Sequence, residues 1–476
     1  MSIINKIFTN TIWQLVIRFF DIIVGVVNIG IIARVLGQTQ FGFYTTTFVF
    51  LQTIMTLGDF GLYLGLLHEV SATEDKTEEK KRIDNIFTIR LTSSLLIFAL
   101  APLFIKIFPY DQVVKTGVIF LAGAFFWQSL VSTLTAVFAK RVDMARPALT
   151  YLIARFFYLL PLIYIYQHSG TLNQIFFWNT FSAAIGFFAL WFFLQKHHKV
   201  SLAWDFLYWK KVFKIAWPLS LGVVLNLVYF KADTLILSAY DAAEKVGLYG
   251  AAYKVLEVLS TFPHMFMSLI LPLFVLAWQK KDFLKLQKIQ QSTFDFFSII
   301  NIWLVLGVWL MSKKIMLLIT GPEFIQAAPI LNILVLAIVA IFFGTMFTYL
   351  VVAIGEQKAM LKYYFIAAII GLLGYFVFIP RYSYWAAAII TVLVEIFVWL
   401  SALFVVNKKA KISLKIDVMS RALLAAVVCA ALVFPFRNLP VVVLGLLVSL
   451  IYFVLLFVIG GIKKEELRAL LKKSNA

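Results

Sequence analysis

The sequence predicts an all-α polytopic membrane protein of about 14 transmembrane helices, two six-helix bundles in parallel pseudo-twofold repeat plus two C-terminal helices. Three observations predict it. The 476 residues are 62% hydrophobic and 14% charged, with mean hydropathy +0.94, whereas a soluble domain is about half apolar and about a quarter charged. Apolar runs of the roughly 20 residues that cross a bilayer as helix recur along the whole chain with short connections between them. A motif at the second run returns at the eighth.

The spans fall at about 10–34, 42–68, 85–106, 116–139, 147–166, 171–194, 215–238, 247–276, 291–311, 327–353, 361–380, 384–406, 419–436 and 440–461. The first apolar segment starts near Thr9. It is too long for a signal-peptide core and no small-residue cleavage site follows it, so it is expected to stay in the membrane. Helices 3, 7 and 13 are each preceded by a basic connection: Lys76, Lys80, Lys81 and Arg82; Lys196, Lys199, Lys210, Lys211 and Lys214; Lys408, Lys409, Lys411 and Lys415. The last two runs are the weakest as spans, and a hairpin that does not fully span is the alternative there. The domains expected are residues 1–195 as the N-terminal bundle, 196–214 as a cytoplasmic linker, 215–406 as the second bundle, and 407–476 as a two-helix addition with a cytoplasmic tail.

Charge placement sets the topology. With the N-terminus inside, inner segments carry 29 of the 42 lysines and arginines, outer loops 8 and the spans five. This bias puts both termini in the cytoplasm and supports an even number of crossings. The net charge of +19 is therefore spread over short loops that face anionic lipid, and nucleic acid is excluded as a partner. The single cysteine, Cys429, lies in an apolar run and excludes a disulfide framework or a cysteine metal site. His68-Glu69 lacks the second histidine of a zinc helix, since Ala72 stands there, and no GxxxxGK[ST] loop is present. Neither metal, cofactor nor ATP hydrolysis is expected.

The repeat compares GFYTTTFVFLQTI, from Gly42, with GLYGAAYKVLEVL, from Gly247. Gly42 pairs with Gly247 and Tyr44 with Tyr249, at an offset of 205 residues. Six helices separate the copies, so the halves share one orientation, as in parallel-repeat transporters. A substrate site would lie between the halves.

Ten ionisable residues fall well inside spans: Arg18, Asp21, Asp59, Arg90, Arg155, Lys231, Asp233, Lys254, Glu257 and Glu395. Each costs roughly 3 kcal/mol at mid-bilayer on insertion scales, so they are expected to line an aqueous cavity or to pair across helices. Arg18–Asp21 and Lys254–Glu257 are spaced i,i+3 on one helix face. Lys231 and Asp233 point to different sides. The plain reading is that all are neutralising ion pairs. The functional reading makes Arg18, Arg155, Lys254, Arg90 and Lys231, in that order, a ladder of cations for an anionic cargo, with arginine's planar fork suited to phosphate oxygens. In it Asp21 restrains Arg18 when the cavity is empty. Asp59, Asp233, Glu257 and Glu395 are candidates for coupling to H⁺ or Na⁺. Asp59 has a rival role in fixing a helix bend before Gly61, and Arg34 reads as an interfacial anchor. Tyr44, Tyr63 and Tyr249 are candidates for stacking on sugar. Gly25, Gly30, Pro161, Pro218, Gly222, Pro263 and Pro272 are candidate hinges or kinks.

The stretch from Ile32 to Ser71 contains Ala33-Arg34-Val35-Leu36-Gly37, Phe41-Gly42-Phe43-Tyr44 and Asp59-Phe60-Gly61-Leu62. It resembles the opening of the polysaccharide-transporter family of Wzx-type O-antigen flippases, whose members carry an ARxLG…FGxY turn and a DxGL motif. Ala232-Asp233 and Val246-Gly247-Leu248-Tyr249, and the stretches ITGPEFIQAAPILNIL and VVAIGEQKAMLKY, look like the same family. The resemblance implies the fold of the multidrug/oligosaccharidyl-lipid/polysaccharide exporters, two six-helix bundles working by alternating access. It implies an undecaprenyl-pyrophosphate-linked oligosaccharide as cargo, flipped from the cytoplasmic to the outer leaflet of a bacterial plasma membrane by a monomer. Two other classes compete. A multidrug antiporter of the same superfamily would favour acidic cavity residues. A polysaccharide polymerase or polyprenyl-dependent glycosyltransferase would present a sizeable polar outer loop, whereas the longest one here, near SKKIMLLITGPEFIQAA, is mostly apolar.

Overall fold

The computed structural model describes residues 3–141, 143–195, 198–410 and 413–462. Among them run thirteen α-helices and no strand: α1 Ile3–Asp59, α2 Leu62–Ser71, α3 Lys76–Phe104, α4 Gln112–Lys140, α5 Ala145–Gln167, α6 Leu172–Gln195, α7 Phe206–Tyr240, α8 Ala243–Gln279, α9 Phe283–Ile319, α10 Ala328–Ala353, α11 Gln357–Ala410, α12 Asp417–Val433 and α13 Val441–Val458. Twelve of the helices, all but α2, are long and apolar enough to cross a membrane.

Two of the twelve are too long for one crossing. At 1.5 Å per residue, the 57 residues of α1 and the 54 of α11 each extend roughly 80 Å, against a hydrocarbon core of about 30 Å. Each is broken once, at Gly37 (φ 63°) in α1 and at Ser383 (φ 55°) in α11. Each therefore supplies two crossings, and the fourteen expected spans are recovered. The final pair includes α12, with the turn after it, and α13, both of sufficient length and hydropathy.

The second expected helix ends earlier than its hydropathy suggests. Phe60 and Gly61 take positive φ (45° and 73°) and separate α1 from α2. Asp59 ends α1 at this break, with its carboxylate 3.2 Å from the Arg90 guanidinium. Asp75 caps α3, accepting from Thr77 N at 2.9 Å, and Asp111 caps α4, accepting from Val113 N at 2.8 Å.

The chain packs as two compact units. The first comprises residues 1–250 with Ile319–Gly321 and Gly371–Ala387. Here α4 runs through the middle, with Leu121, Leu134 and Val137 fully buried. Glycine permits the closest helix approach in this unit. A Cβ added at Gly42 would lie 1.8 Å from the Ala243 carbonyl oxygen, and one at Gly247 would lie 2.1 Å from that of Gln38 and 3.1 Å from Gly42 N. The two glycines matched by the sequence repeat thus meet each other where α1 crosses the start of α8. Arg34 lies beside them in the chain and donates to the Ile319 carbonyl at 2.7 Å and the Gly30 carbonyl at 3.1 Å. It caps the C-terminus of α9, where a cation is favoured by the exposed carbonyls and the helix dipole. This is a more specific role than the interfacial anchor expected of it. Gly30 gives α9 room, since its Cβ would sit 2.5 Å from the Ile319 oxygen.

The second unit comprises Ala251–Leu318, Pro322–Ile370 and the chain from Ala388 onward. Its centre is α10, with Leu334, Ala337, Phe342 and Phe347 buried, the rings of Phe262 and Phe297 packed on Phe342, and Phe266 stacked on Phe296. The α12–α13 hairpin rests on α9, where Trp303 Nε1 donates to Ser449 at 3.1 Å and Tyr452 to the Ile299 carbonyl at 3.0 Å.

The linker between α6 and α7 is tied down along its described part; residues 196 and 197 lie outside the described residues. It is bonded to one face of α3. Asp84 accepts from the backbone and hydroxyl of Ser201 (3.0 and 2.6 Å), Thr88 Oγ1 from Ala203 N (2.9 Å), and Asn85 Oδ1 from Asp205 N (3.0 Å) and Trp209 Nε1 (3.1 Å). Asp205 then caps α7. The Tyr208 backbone N–H and the Lys81 ammonium hold its carboxyl below the usual aspartate range. Tyr208 donates to Glu69 at 3.0 Å, and burial followed by the Glu69 charge pushes its phenol well up.

Candidate functional site

On α1, Arg18, Asp21, Gly25 and Asn28 follow one another at i, i+3, i+7 and i+10, and so share one helix face. That face receives Arg155 from α5. Arg155 Nε sits 2.8 Å from Asp21 Oδ1, Nη1 donates to the Asp21 carbonyl at 3.2 Å, and Asn28 Nδ2 donates to the Arg155 carbonyl at 3.2 Å. Gly25 makes the seat possible, because a Cβ there would fall 1.5 Å from Arg155 Nη1. The α1 helix runs unbroken through Gly25 and Gly30. Both glycines serve close contact here, and the breaks lie at Gly37, Phe60–Gly61 and Ser383.

Asp21 therefore pairs across helices with Arg155, and not with its neighbour Arg18 as spacing suggests. Arg18 is half-buried and acts electrostatically on Asp21, Tyr63 and Tyr151. Among the described residues it has no ion pair. Asp21 and Arg155 thus pair one helical turn from Arg18, whose charge is also felt at Tyr63 and Tyr151, giving two cations for one carboxylate. The Arg155 side chain keeps 44% of its exposure while paired, so its outer guanidinium edge is open to a further partner.

The other expected residues have contacts of their own. Arg90 is 1% exposed. Its Nη1 donates to the Gly58 carbonyl (3.1 Å), its Nε to that of Ser129 (3.2 Å), and its Nη2 lies 3.2 Å from Asp59 Oδ1. All three nitrogens are engaged, and Arg90 with Asp59 clamps the α1–α2 break. Asp233 is fully buried and accepts from Tyr249 at 2.5 Å and from Thr234 N and Oγ1 at 2.5 and 3.1 Å. Lys231, also buried, lies 5.4 Å from the Phe230 ring. In the second unit Lys254 and Glu257 form the expected i,i+3 pair at 2.8 Å. Glu395 is buried near Tyr364 and, among the described residues, has no ion pair. No group of three or more His, Cys, Asp or Glu able to hold a metal occurs among the described residues.

Two tyrosines proposed for sugar stacking are core residues. Tyr44 is buried against Phe41, Phe48 and Phe176, and Tyr249 is spent on Asp233. Tyr63 alone of the three borders the cation cluster. Sequence reasoning missed the seat itself. Its signal was present as Asp21, Gly25 and Asn28 at i, i+4 and i+7, but its partner stands 134 residues beyond Asp21.

A family model described as polysaccharide biosynthesis protein matches residues 7–278, more than half of the chain. The chain belongs to the polysaccharide biosynthesis protein family. A second model, MatE, matches residues 218–377. No curated protein matches the chain. Among solved structures, it is similar to the lipid II flippase MurJ in an inward closed conformation (TM-score 0.80, 14% identity, 94% of this chain and 99% of that one). It is also similar to a multidrug resistance MATE family transporter of the MOP superfamily in an inward-facing conformation (TM-score 0.68, 13% identity, 84% and 98%). A MOP superfamily transporter from Pyrococcus furiosus gives a TM-score of 0.62 at 12% identity, covering 86% and 96%. At these identities the likeness is one of fold. This family member thus shares the fold of these transporters.

Proposed function

We propose that this protein is a flippase for a polyprenyl-pyrophosphate-linked oligosaccharide, carrying it from the cytoplasmic to the outer leaflet of a bacterial plasma membrane by alternating access, as a monomer with both termini in the cytoplasm. The observation that carries the reading is the pair of mid-span cations Arg18 and Arg155 with one carboxylate, Asp21, between them. A pyrophosphate would complete the charge balance, binding the open edge of Arg155 and the half-buried Arg18. Asp21 holds Arg155 in place and competes with the phosphate, which eases release. Lys254 and Lys231 are secondary candidates, and Arg90 is a positioning residue for the bend. Family membership and the flippase fold support the class of cargo. Coupling to H⁺ or Na⁺ would fall first to Glu395, whose carboxylate is buried without an ion pair among the described residues, and then to Asp59, Asp233 and Glu257.

The MatE match favours a second reading, a multidrug antiporter. Cationic drugs need a site with surplus carboxylates, and the Arg18–Asp21–Arg155 cluster has the opposite balance. The experiment is to delete the gene in its host and assign the leaflet of lipid-linked intermediates with a membrane-impermeant probe. A complete repeat unit stranded on the cytoplasmic side, rescued by wild type and not by Arg18→Ala, is expected. A normal lipid-linked pool with altered drug efflux would overturn the flippase reading in favour of the antiporter.

A further inference from the structure

The first turns of α7 carry an exposed stripe, in which Phe213 meets the edge of the Phe60 ring and Phe206 lies against Trp209 of its own helix. Phe206, Lys210, Phe213, Lys214 and Trp217 stand at i, i+4, i+7, i+8 and i+11, one stripe of the helix. Phe206 is 68% and Trp217 60% exposed. The opposite face is anchored: Tyr208 bonds Glu69, Trp209 bonds Asn85, and Val212 and Ala216 are fully buried. Lys211, on the flank, lies 3.5 Å from Glu69. Lys210 and Lys214 are exposed and, among the described residues, have no carboxylate in ion-pair range. The apolar run of α7 starts at about residue 215. At 1.5 Å per residue the two lysines stand roughly 2–8 Å before it, at its headgroup edge, with Trp217 in the interfacial belt where its ring is favoured.

We propose that this stripe is a binding site for an anionic phospholipid headgroup of the inner leaflet, with Lys210 and Lys214 on its phosphate and Phe213 and Trp217 along its acyl chains. The inference rests on the topology proposed above, which puts this end of α7 at the cytoplasmic surface. Two ammonium groups one helical turn apart lie about 5–6 Å from each other at Cβ, a span a single phosphodiester can bridge. A zwitterionic lipid brings its own cation and is repelled by the pair. The strap of Asp84, Asn85 and Thr88 fixes the stripe's orientation, so the site is preformed. Each lysine near an anionic surface adds about fivefold in affinity, roughly 25-fold for both.

The test is native mass spectrometry of the full-length protein released from bilayers of phosphatidylglycerol and phosphatidylcholine, counting retained phosphatidylglycerol. Lys210→Gln/Lys214→Gln is expected to lose most of it, while Lys280→Gln/Lys281→Gln, an exposed basic pair at the α8–α9 turn, keeps it. Both lysines of the site are exposed, and an unchanged thermal midpoint in pure phosphatidylcholine checks that the variant is folded. Equal loss from both variant pairs, or from neither, would overturn the site in favour of dispersed charge. Selective loss of added undecaprenyl pyrophosphate with phosphatidylglycerol retained would overturn the choice of ligand. Retention is read without cargo, so a failed flipping assay would leave this site standing, and a failed retention assay would leave the flippase reading standing.

Discussion

Replacing Gly42 by alanine is expected to destabilise the first unit even though alanine is the better helix former. The added Cβ would lie 1.8 Å from the Ala243 oxygen and 2.6 Å from its carbonyl carbon. A carbon–oxygen contact needs about 3.3 Å, so α1 and the start of α8 must part by roughly 1.5 Å. The obstacle is backbone and cannot rotate aside, which puts the cost near the upper end of the ~1–3 kcal/mol typical of overpacking. Alanine returns about 1 kcal/mol of helix propensity, leaving a net loss of about 2 kcal/mol. Gly247→Ala meets the Gln38 oxygen at 2.1 Å and is expected to behave alike. Gly307 is the control, since its Cβ would meet only Met311 Cε at 3.7 Å, and Gly307→Ala is expected to gain up to about 1 kcal/mol. Thermal unfolding of the purified protein in detergent reads all three. Because Gly42 and Gly247 touch, parting the helices for one relieves the other, and the double variant should cost less than the two singles together. Gly42→Ala with a midpoint equal to that of Gly307→Ala would refute the reasoning.

Further outcomes follow from the buried polar contacts. Arg90→Ala leaves Asp59 and two carbonyls without their cation and is expected to cost about 3–5 kcal/mol, with part of the loss recovered when Asp59→Asn is added; thermal midpoints of the single and double variants check this. Gly25→Ala pushes the Arg155 guanidinium off Asp21 and should reproduce the flipping defect of Arg155→Ala with the protein still folded. Asn85→Ala removes the acceptor of Asp205 N and Trp209 Nε1, about 1–3 kcal/mol of local stability, and should speed proteolysis within residues 198–205 of the linker. Asp205 has a folded-state pKa below the ordinary 3.8, so its contribution is present above that value and lost as pH falls through the lower, folded one. The linker is expected to become protease-sensitive in that acid window in wild type, and less steeply so in Asp205→Asn.

The crossings are legible in the sequence because lipid demands a run of apolar residues for each. Even the two doubled helices are anticipated, since the expected spans stop on either side of Gly37 and of Ser383. The Asp59 bend is legible from its glycine neighbour. The partners of the buried charges are not. Spacing offers Asp21 its neighbour Arg18, yet the carboxylate finds Arg155 on another helix, because Gly25 leaves a hollow only in three dimensions. The likeness of Gly42 and Gly247 reads as a repeat in the sequence; only the fold turns it into a contact. Tyr44 and Tyr249 carry the same ring as Tyr63, and burial alone separates core tyrosines from one beside the cation cluster. The linker's bonds to α3 escape a reading by hydropathy, because Asp84, Asn85 and Thr88 look like ordinary polar residues at an inner helix end.

The central claim is that Arg18 and Arg155 bind the pyrophosphate of the cargo. The most direct measurement is the affinity of purified wild type, Arg18→Ala and Arg155→Ala for undecaprenyl pyrophosphate, beside uncharged undecaprenol. The account predicts that each variant loses affinity for the pyrophosphate by about tenfold or more, the ~1.5–3 kcal/mol of a hydrogen bond to a charged group, with undecaprenol binding unchanged. Equal affinity of all three proteins for the pyrophosphate would contradict it and return both arginines to helix packing.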